Sequence, residues 1–263
     1  MKKFLFINLI LSVVFASCGG EEQQVVEKDS IVSVESDSVL LDTVEKEPEL
    51  DLILNHNVVE KLTAYGDSNP ETHVLIKTTY GNMKVRLFNE TPLHRSNFVM
   101  LAKKKFFDST KFYRIIDKFM IQGGNSDDEE IAGKMLSIGS YKIPNEIKPG
   151  LAHVKGAIAM AVSPAEQAGD KRSSAMNFYI IEGRKLSNKY LNTLKDERGI
   201  VITPYNKKRY LEVGGAPHLD GNYTVFGEVY AGFGTLSRIS NVKTDKYDWP
   251  LKPVYITSVE VIK

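Results

Sequence analysis

Apolar and polar positions alternate most regularly from residue 72 onward, where the chain reads as a succession of short strands. Val74 and Ile76, then Met83, Val85 and Leu87, recur at every second residue around Tyr80-Gly81-Asn82, the pattern of a β-hairpin. The period then lengthens. Thr91 and Pro92 supply an N-cap and a first-turn proline, and Leu93, Phe98, Leu101 and Ala102 share one face of a helix. Lys103, Lys104 and Lys105 close that helix, suit the negative end of its dipole and read as a solvated end. Aromatic and β-branched residues predict a strand over 112–116, with Arg114 on the same face as Phe112 and Ile116. Further strands are predicted over 157–161, 177–181, 223–229 and 254–262, with a helix near 232–239. Many short strands and two helices favour a closed barrel with capped ends.

The first 71 residues carry a different pattern. Lys2 and Lys3 precede an apolar run over 4–16, too short to span a bilayer, and Ala16 and Ser17 lead into Cys18. Residues 1–17 therefore read as a signal peptide. From 18 to 71 the chain is rich in Glu, Asp, Ser and Val, lacks any aromatic residue before Tyr65, and reads as an acidic flexible tether. The folded domain is expected over 72–263.

Composition adds exclusions. With 42% hydrophobic and 25% charged residues, the 263-residue chain is ordinary for a globular protein. A net charge of +1 without a dense basic stripe disfavours nucleic acid. Cys18 is the single cysteine, so the folded part holds no disulfide. His56, His73, His94, His153 and His218 show no metal-ligand spacing, and no metal or cofactor is expected. His153, Ser163 and Asp170 are the residue types of a serine hydrolase, but no GxSxG elbow accompanies them.

The densest chemistry lies in FYRIIDKFMIQGGN, residues 112–125, where one guanidinium stands among large apolar side chains ahead of paired glycines. Taken singly, Arg114 reads as a surface strand residue, Phe119 and Met120 as core, and Gly123-Gly124 as a turn. In order along the chain, VLIKTTYGNMKVRLF, TPLHRSNFVMLAKKKFFDSTKF, FYRIIDKFMIQGGN, GAIAMA, NFYII and HLDGNYTVFGEVYAGF resemble the cyclophilins, the barrel-type peptidyl-prolyl cis-trans isomerases, in particular forms from Bacteroidetes-type bacteria. The resemblance runs from about His73 to the C-terminus. It implies a mainly β fold, a closed antiparallel eight-stranded barrel capped by two α-helices.

It also implies the site. Arg114 would hydrogen-bond the prolyl nitrogen, Gln122 would hold the guanidinium, and Phe119, Met120, Tyr179, Leu219 and Tyr223 would form the proline pocket. Main-chain groups of Ala161 and Val162 would pair with substrate, Asn177 would stand for a family glutamine, and His218 for the tryptophan that binds cyclosporin. Tyr179 replaces a family phenylalanine and Tyr223 a histidine; at His218 the indole's apolar area and N–H donor are lost, so cyclosporin binding is expected to be weak. The ending FASC resembles a lipobox whose cysteine, Cys18, receives the lipid, although Phe15 departs from the usual leucine; the other reading is an ordinary signal peptide with an incidental cysteine.

Between NFYII and HLDG lies an insertion, about 182–216. Leu186, Tyr190, Leu191 and Leu194 are spaced as on a helix that stops at Gly199, and KKRYLEVGGAP suggests another turn. Such a loop either carries specificity beside the site or packs on the barrel. The expectation is a monomeric, lipid-anchored isomerase of the cell envelope, on the outer membrane or a periplasmic face, acting on proline-containing exported polypeptides. A peptide-binding or chaperone module with weak or no isomerase activity is the alternative.

Overall fold

Two-residue alternation divides the central strands between two apolar environments. The computed structural model describes residues 52–125 and 129–263, so the signal peptide, Cys18 and residues 18–51 of the tether lie outside the described residues. The strands are β1 (His73–Thr78), β2 (Gly81–Leu87), β3 (Phe112–Ile116), β4 (Met120–Gly123), β5 (Lys142–Ile143), β6 (Ala157–Met160), β7 (Ser173–Ser174), β8 (Phe178–Ile181), β9 (Val225–Ala231) and β10 (Ile256–Ile262). The helices are α1 (Val58–Ser68), α2 (Pro92–Lys103), α3 (Glu129–Ile138), α4 (Pro164–Gln167), α5 (Asn188–Arg198), α6 (Pro204–Glu212) and α7 (Phe233–Ser240).

Eight strands form one antiparallel, curled sheet in the order β10-β1-β2-β9-β6-β8-β4-β3. The expected closed barrel is corrected to an open strand order, in which the edges β3 and β10 share no ladder. They meet at one end only, where Phe112 N–H donates to Val254 at 2.9 Å and Ile256 N–H to Thr110 at 2.8 Å. One face buries Ile121, Ile158, Met160, Phe178, Ile180 and Phe226 in the main core. The alternate residues Met120, Ala157, Ala159, Tyr179, Ile181 and Val225 form a second cluster on the other face. This is the period of a strand covered on both sides.

Helix α2 presents Phe98, Val99, Leu101 and Ala102 to the core, and α7 presents Leu236 and Ile239. Thr91 precedes α2 as expected, yet its hydroxyl donates to Phe88 O. The orphan N–H groups of Leu93 and His94 are taken instead by the Glu146 carboxylate, at 3.1 and 3.0 Å. The hairpin turn falls on Thr79-Tyr80, one residue before its predicted place, because Thr78 pairs with Gly81.

The tether is corrected at its C-terminal end. Residues 52–68 belong to the folded domain: Ile53, Val58 and Leu62 are buried in the main core, and α1 packs along α2. Gly66 makes that approach possible, since a Cβ there would lie 2.1 Å from Ser96 Oγ. The insertion folds as α5 and α6, with Ser187 and Thr203 as side-chain N-caps and Gly199 in the left-handed conformation. Leu191 and Tyr210 join Ala152 and Val154 in a small core of their own against the sheet.

Candidate active site

Strand register assembles the site. Arg114 pairs with Gln122, Gln122 with Tyr179, Tyr179 with Ala159, and Ala159 with Val225, so these five residues form one row across the outer face of five strands. Directly opposed residues in an antiparallel ladder share a face, and a slip of one residue would turn the row into the core. Phe112 and Arg114 do not share a face as expected. A register shift between them sends Phe112 into the main core and leaves Arg114 exposed, the work of a β-bulge at Tyr113.

Around this row lies an open pocket of about 290 Å³. Met120 and Tyr179 make its floor, Phe119, Leu219 and Tyr223 its walls, and Arg114 and Gln122 one rim; Ala161, Val162 and Pro164 make the other. Small Ala157 and Ala159 beneath keep the floor low. Tyr223 meets Tyr179 edge to face at 5.8 Å between centroids, which fixes both rings.

Gln122 is not bonded to the guanidinium. Its Nε2 donates to the Tyr113 hydroxyl at 2.7 Å, and that hydroxyl donates to Asn177 Oδ1 at 3.1 Å. Arg114 Nε instead donates to Asp248 Oδ2 at 3.4 Å, both side chains being well exposed. Asn177 stands outside the pocket lining and carries the Tyr113 link and the Asn125 N–H. Ala161 lines the pocket, but its N–H donates to the Asn177 carbonyl and its carbonyl accepts from the Ser174 N–H. Its main chain is occupied. The Val162 N–H and carbonyl have no partner among the described residues.

Behind Tyr179 runs a buried polar chain. The Tyr179 hydroxyl lies 3.0 Å from His153 Nε2, and His153 Nδ1 lies 2.8 Å from Asp220 Oδ1. A carboxylate only accepts, so Nδ1 carries the proton toward Asp220, and the tautomer with Nε2 bare accepts the Tyr179 proton. Burial first, and then the nearby Tyr223 and Asp220, push the Tyr179 hydroxyl well above its ordinary range. It remains a neutral donor. The other Asp220 oxygen accepts from Tyr210 of the insertion at 2.7 Å.

His218 leans on Phe119 at 5.4 Å between ring centroids and lines a neighbouring cavity rather than this pocket. The hydrolase trio is not assembled: Ser163 Oγ caps α4 by accepting from Glu166 N–H, and the His153 ring is bonded to Asp220 and Tyr179. Among the described residues no group of three or more His, Cys, Asp or Glu is placed to hold a metal, and no helix is long and apolar enough to cross a membrane. Sequence reasoning missed Tyr113, His153, Asp220, Asp248 and Trp249, whose ring lies 6.1 Å from that of Tyr113. Asp220 stands inside HLDG and was within reach. Asp248 lies 134 residues from Arg114, and nothing periodic announces it.

Residues 73–261 match the family described as cyclophilin type peptidyl-prolyl cis-trans isomerase/CLD. A Staphylococcus aureus protein named as a peptidyl-prolyl cis-trans isomerase is 32% identical over 194 residues, 73% of this chain and 92% of that one. A Streptococcus pyogenes protein whose name pairs a phosphatase with a peptidyl-prolyl cis-trans isomerase is 33% identical over 241 residues, 90% of this chain and 45% of that one. The chain thus spans less than half of that longer relative. Among solved structures, a cyclophilin type isomerase of Cryptosporidium parvum superposes with a TM-score of 0.53 at 24% identity, covering 73% of this chain and 98% of its own. The Cryptosporidium protein in the presence of the dipeptide Ala-Pro gives 0.52 at the same identity, covering 73% and 99%.

Proposed function

The chain belongs to the cyclophilin-type peptidyl-prolyl cis-trans isomerases, and from that premise we propose that it accelerates X-Pro rotation by Arg114 acting on a proline held over Met120 and Tyr179. The uncatalysed rotation crosses a barrier of about 20 kcal/mol because the amide is conjugated. Catalysis needs no nucleophile. A donor aimed at the prolyl nitrogen stabilises the twisted, pyramidal form more than the planar one, and that difference lowers the barrier. The observation that carries the reading is the register that sets the Arg114 guanidinium in one row with the apolar floor. Val162, whose main-chain groups have no protein partner among the described residues, would pair with the residue before the proline.

Replacing Arg114 with Ala tests it. The side chain is exposed, so the fold should persist while kcat/KM falls by about two to three orders of magnitude, the weight of roughly 3–4 kcal/mol for one preorganised donor. Activity near that of the parent in folded Arg114→Ala protein would refute the mechanism. A second reading, a peptide-binding module with weak isomerase activity, draws on Gln122 being turned to Tyr113 and Arg114 to Asp248. A parent chain that binds proline peptides without turning them over would favour it.

The FASC ending supports a lipid-anchored setting in the cell envelope, with exported polypeptides as substrates. Cys18→Ser removes the thiol that would carry the lipid. Fractionation that still finds this variant in the membrane would remove the anchor from the proposal.

A further inference from the structure

Beyond the Phe119 and His218 rings lies a second cavity of about 340 Å³, contiguous with the proline pocket because Phe119 lines both. The insertion supplies Arg184, Leu186 and Tyr190 to its lining, beside Asp117 and Lys118. We propose that this cavity is a second substrate subsite, which takes a carboxylate-bearing residue on the C-terminal side of the proline.

Charge decides the class of occupant. Lys118 is offset by Asp117 at 3.5 Å, whereas Arg184 makes no ion pair among the described residues. Arg198 lies near enough to His218 to act on its charge, as Arg184 does. Burial first, then His153 and these two guanidiniums, hold the His218 imidazole below its usual range against an opposing pull from Asp220. The ring thus favours its uncharged form, and among the residues lining the cavity Arg184 is the cation without an ion pair. Leu186 and Tyr190, both half-buried, give an aliphatic stem something to lie on. Arg is suited to the planar carboxylate that would complete the site.

Direction follows from the proposed isomerase reading, on which this subsite rests. If the residue before the proline pairs with Val162, the chain beyond the proline leaves past the Phe119 wall that the two cavities share. One ring, Phe119, separates the two cavities, and an extended strand advances about 3.3 Å per residue, so the second residue after the proline is the position assigned to the subsite.

The test uses the full-length chain and three labelled peptides with an Ala-Pro core, identical except for Glu, Gln or Lys at the second residue after the proline. Affinity is read by fluorescence anisotropy at low and high salt, and isomerisation separately by exchange NMR. The Glu peptide should bind about two- to fivefold more tightly than Gln, the weight of an accessible ion pair, and Lys more weakly still. Salt should flatten the ranking. Arg184→Gln should abolish it and Arg184→Glu should invert it. Equal affinities, or a ranking unchanged in both variants, overturn the subsite. If Arg184→Glu fails to fold, Arg184→Gln and the salt dependence of the parent decide. Ranked binding without isomerisation sinks the isomerase reading and spares the subsite, while isomerisation without ranking does the reverse. Failure of all three peptides to bind ends both.

Discussion

Tyr210 of the insertion donates its hydroxyl to Asp220 Oδ2 at 2.7 Å, and that contact ties the insertion to the segment that carries Leu219 and Tyr223 into the pocket. Asp220 Oδ1 meanwhile accepts from the His153 ring and backbone, and His153 holds the hydroxyl of Tyr179. Tyr210 is fully buried, and burial pushes its hydroxyl far above the ordinary range, so the proton stays on the donor.

Tyr210→Phe removes that donor from a nearly buried carboxylate oxygen. We expect a loss of about 1–3 kcal/mol in urea unfolding and a raised KM, because Asp220 no longer anchors the loop carrying Leu219 and Tyr223. A variant as stable as the parent with unchanged KM would show that the insertion only decorates the barrel.

Asp248→Asn keeps a residue tolerant of the left-handed backbone at this position, where φ is 66°, while removing the charge beside Arg114. Stability should change by less than about 1 kcal/mol, since the pair is exposed. Steady-state rates should fall about two- to fivefold if the carboxylate merely orients the guanidinium. A collapse comparable to that of Arg114→Ala would instead place Asp248 in the chemistry.

Leu62 is fully buried in the main core, outside the stretch where the fold was expected. Leu62→Ala should cost about 2–5 kcal/mol, the range for a core leucine, measured by denaturant unfolding. A chain shortened to start at Thr72 should lose more, because Ile53 and Val58 leave with it. Unchanged stability in both would mean that α1 contributes nothing to the domain.

His218 gives stability a pH dependence with a definite sign. Its folded-state affinity for protons is reduced, chiefly by burial, from an ordinary value of 6.5. As pH falls through that value the unfolded chain takes up the proton first, so stability present above it drains away on acidification. Between about pH 7.5 and 5.5 the urea midpoint of the parent should drop more than that of His218→Gln. Identical drops would mean that His218 titrates alike in both states.

Periodicity exposed the hairpin strands β1 and β2 because buried apolar residues alternate there with more exposed ones, and it exposed α2 and α5 because their apolar residues recur at helical spacing. It failed at α1, where Val58, Leu62 and Gly66 give only one buried residue per turn among charged neighbours, and Gly66 buries by close approach rather than by apolar area. It failed again at Phe112 and Arg114, since a bulge is invisible to a two-residue period. In the site, the pocket residues were legible through the ordered motifs. Hydrogen-bond partners were not: the motif pairs Gln122 with Arg114, yet its amide donates to the Tyr113 hydroxyl, and Asn177 and Asp248 complete links that depend on loop placement.

The row from Arg114 to Val225 occupies only the outward positions of strands whose inward positions fill the main core. Selection can therefore rewrite one alphabet without touching the other. At position 179 the tyrosine hydroxyl reaches His153 on the outer face while Phe178 and Ile180 pack inward, so that oxygen can be added or removed without repacking the core. Such a lattice lets substrate preference drift quickly over a barrel that stays the same.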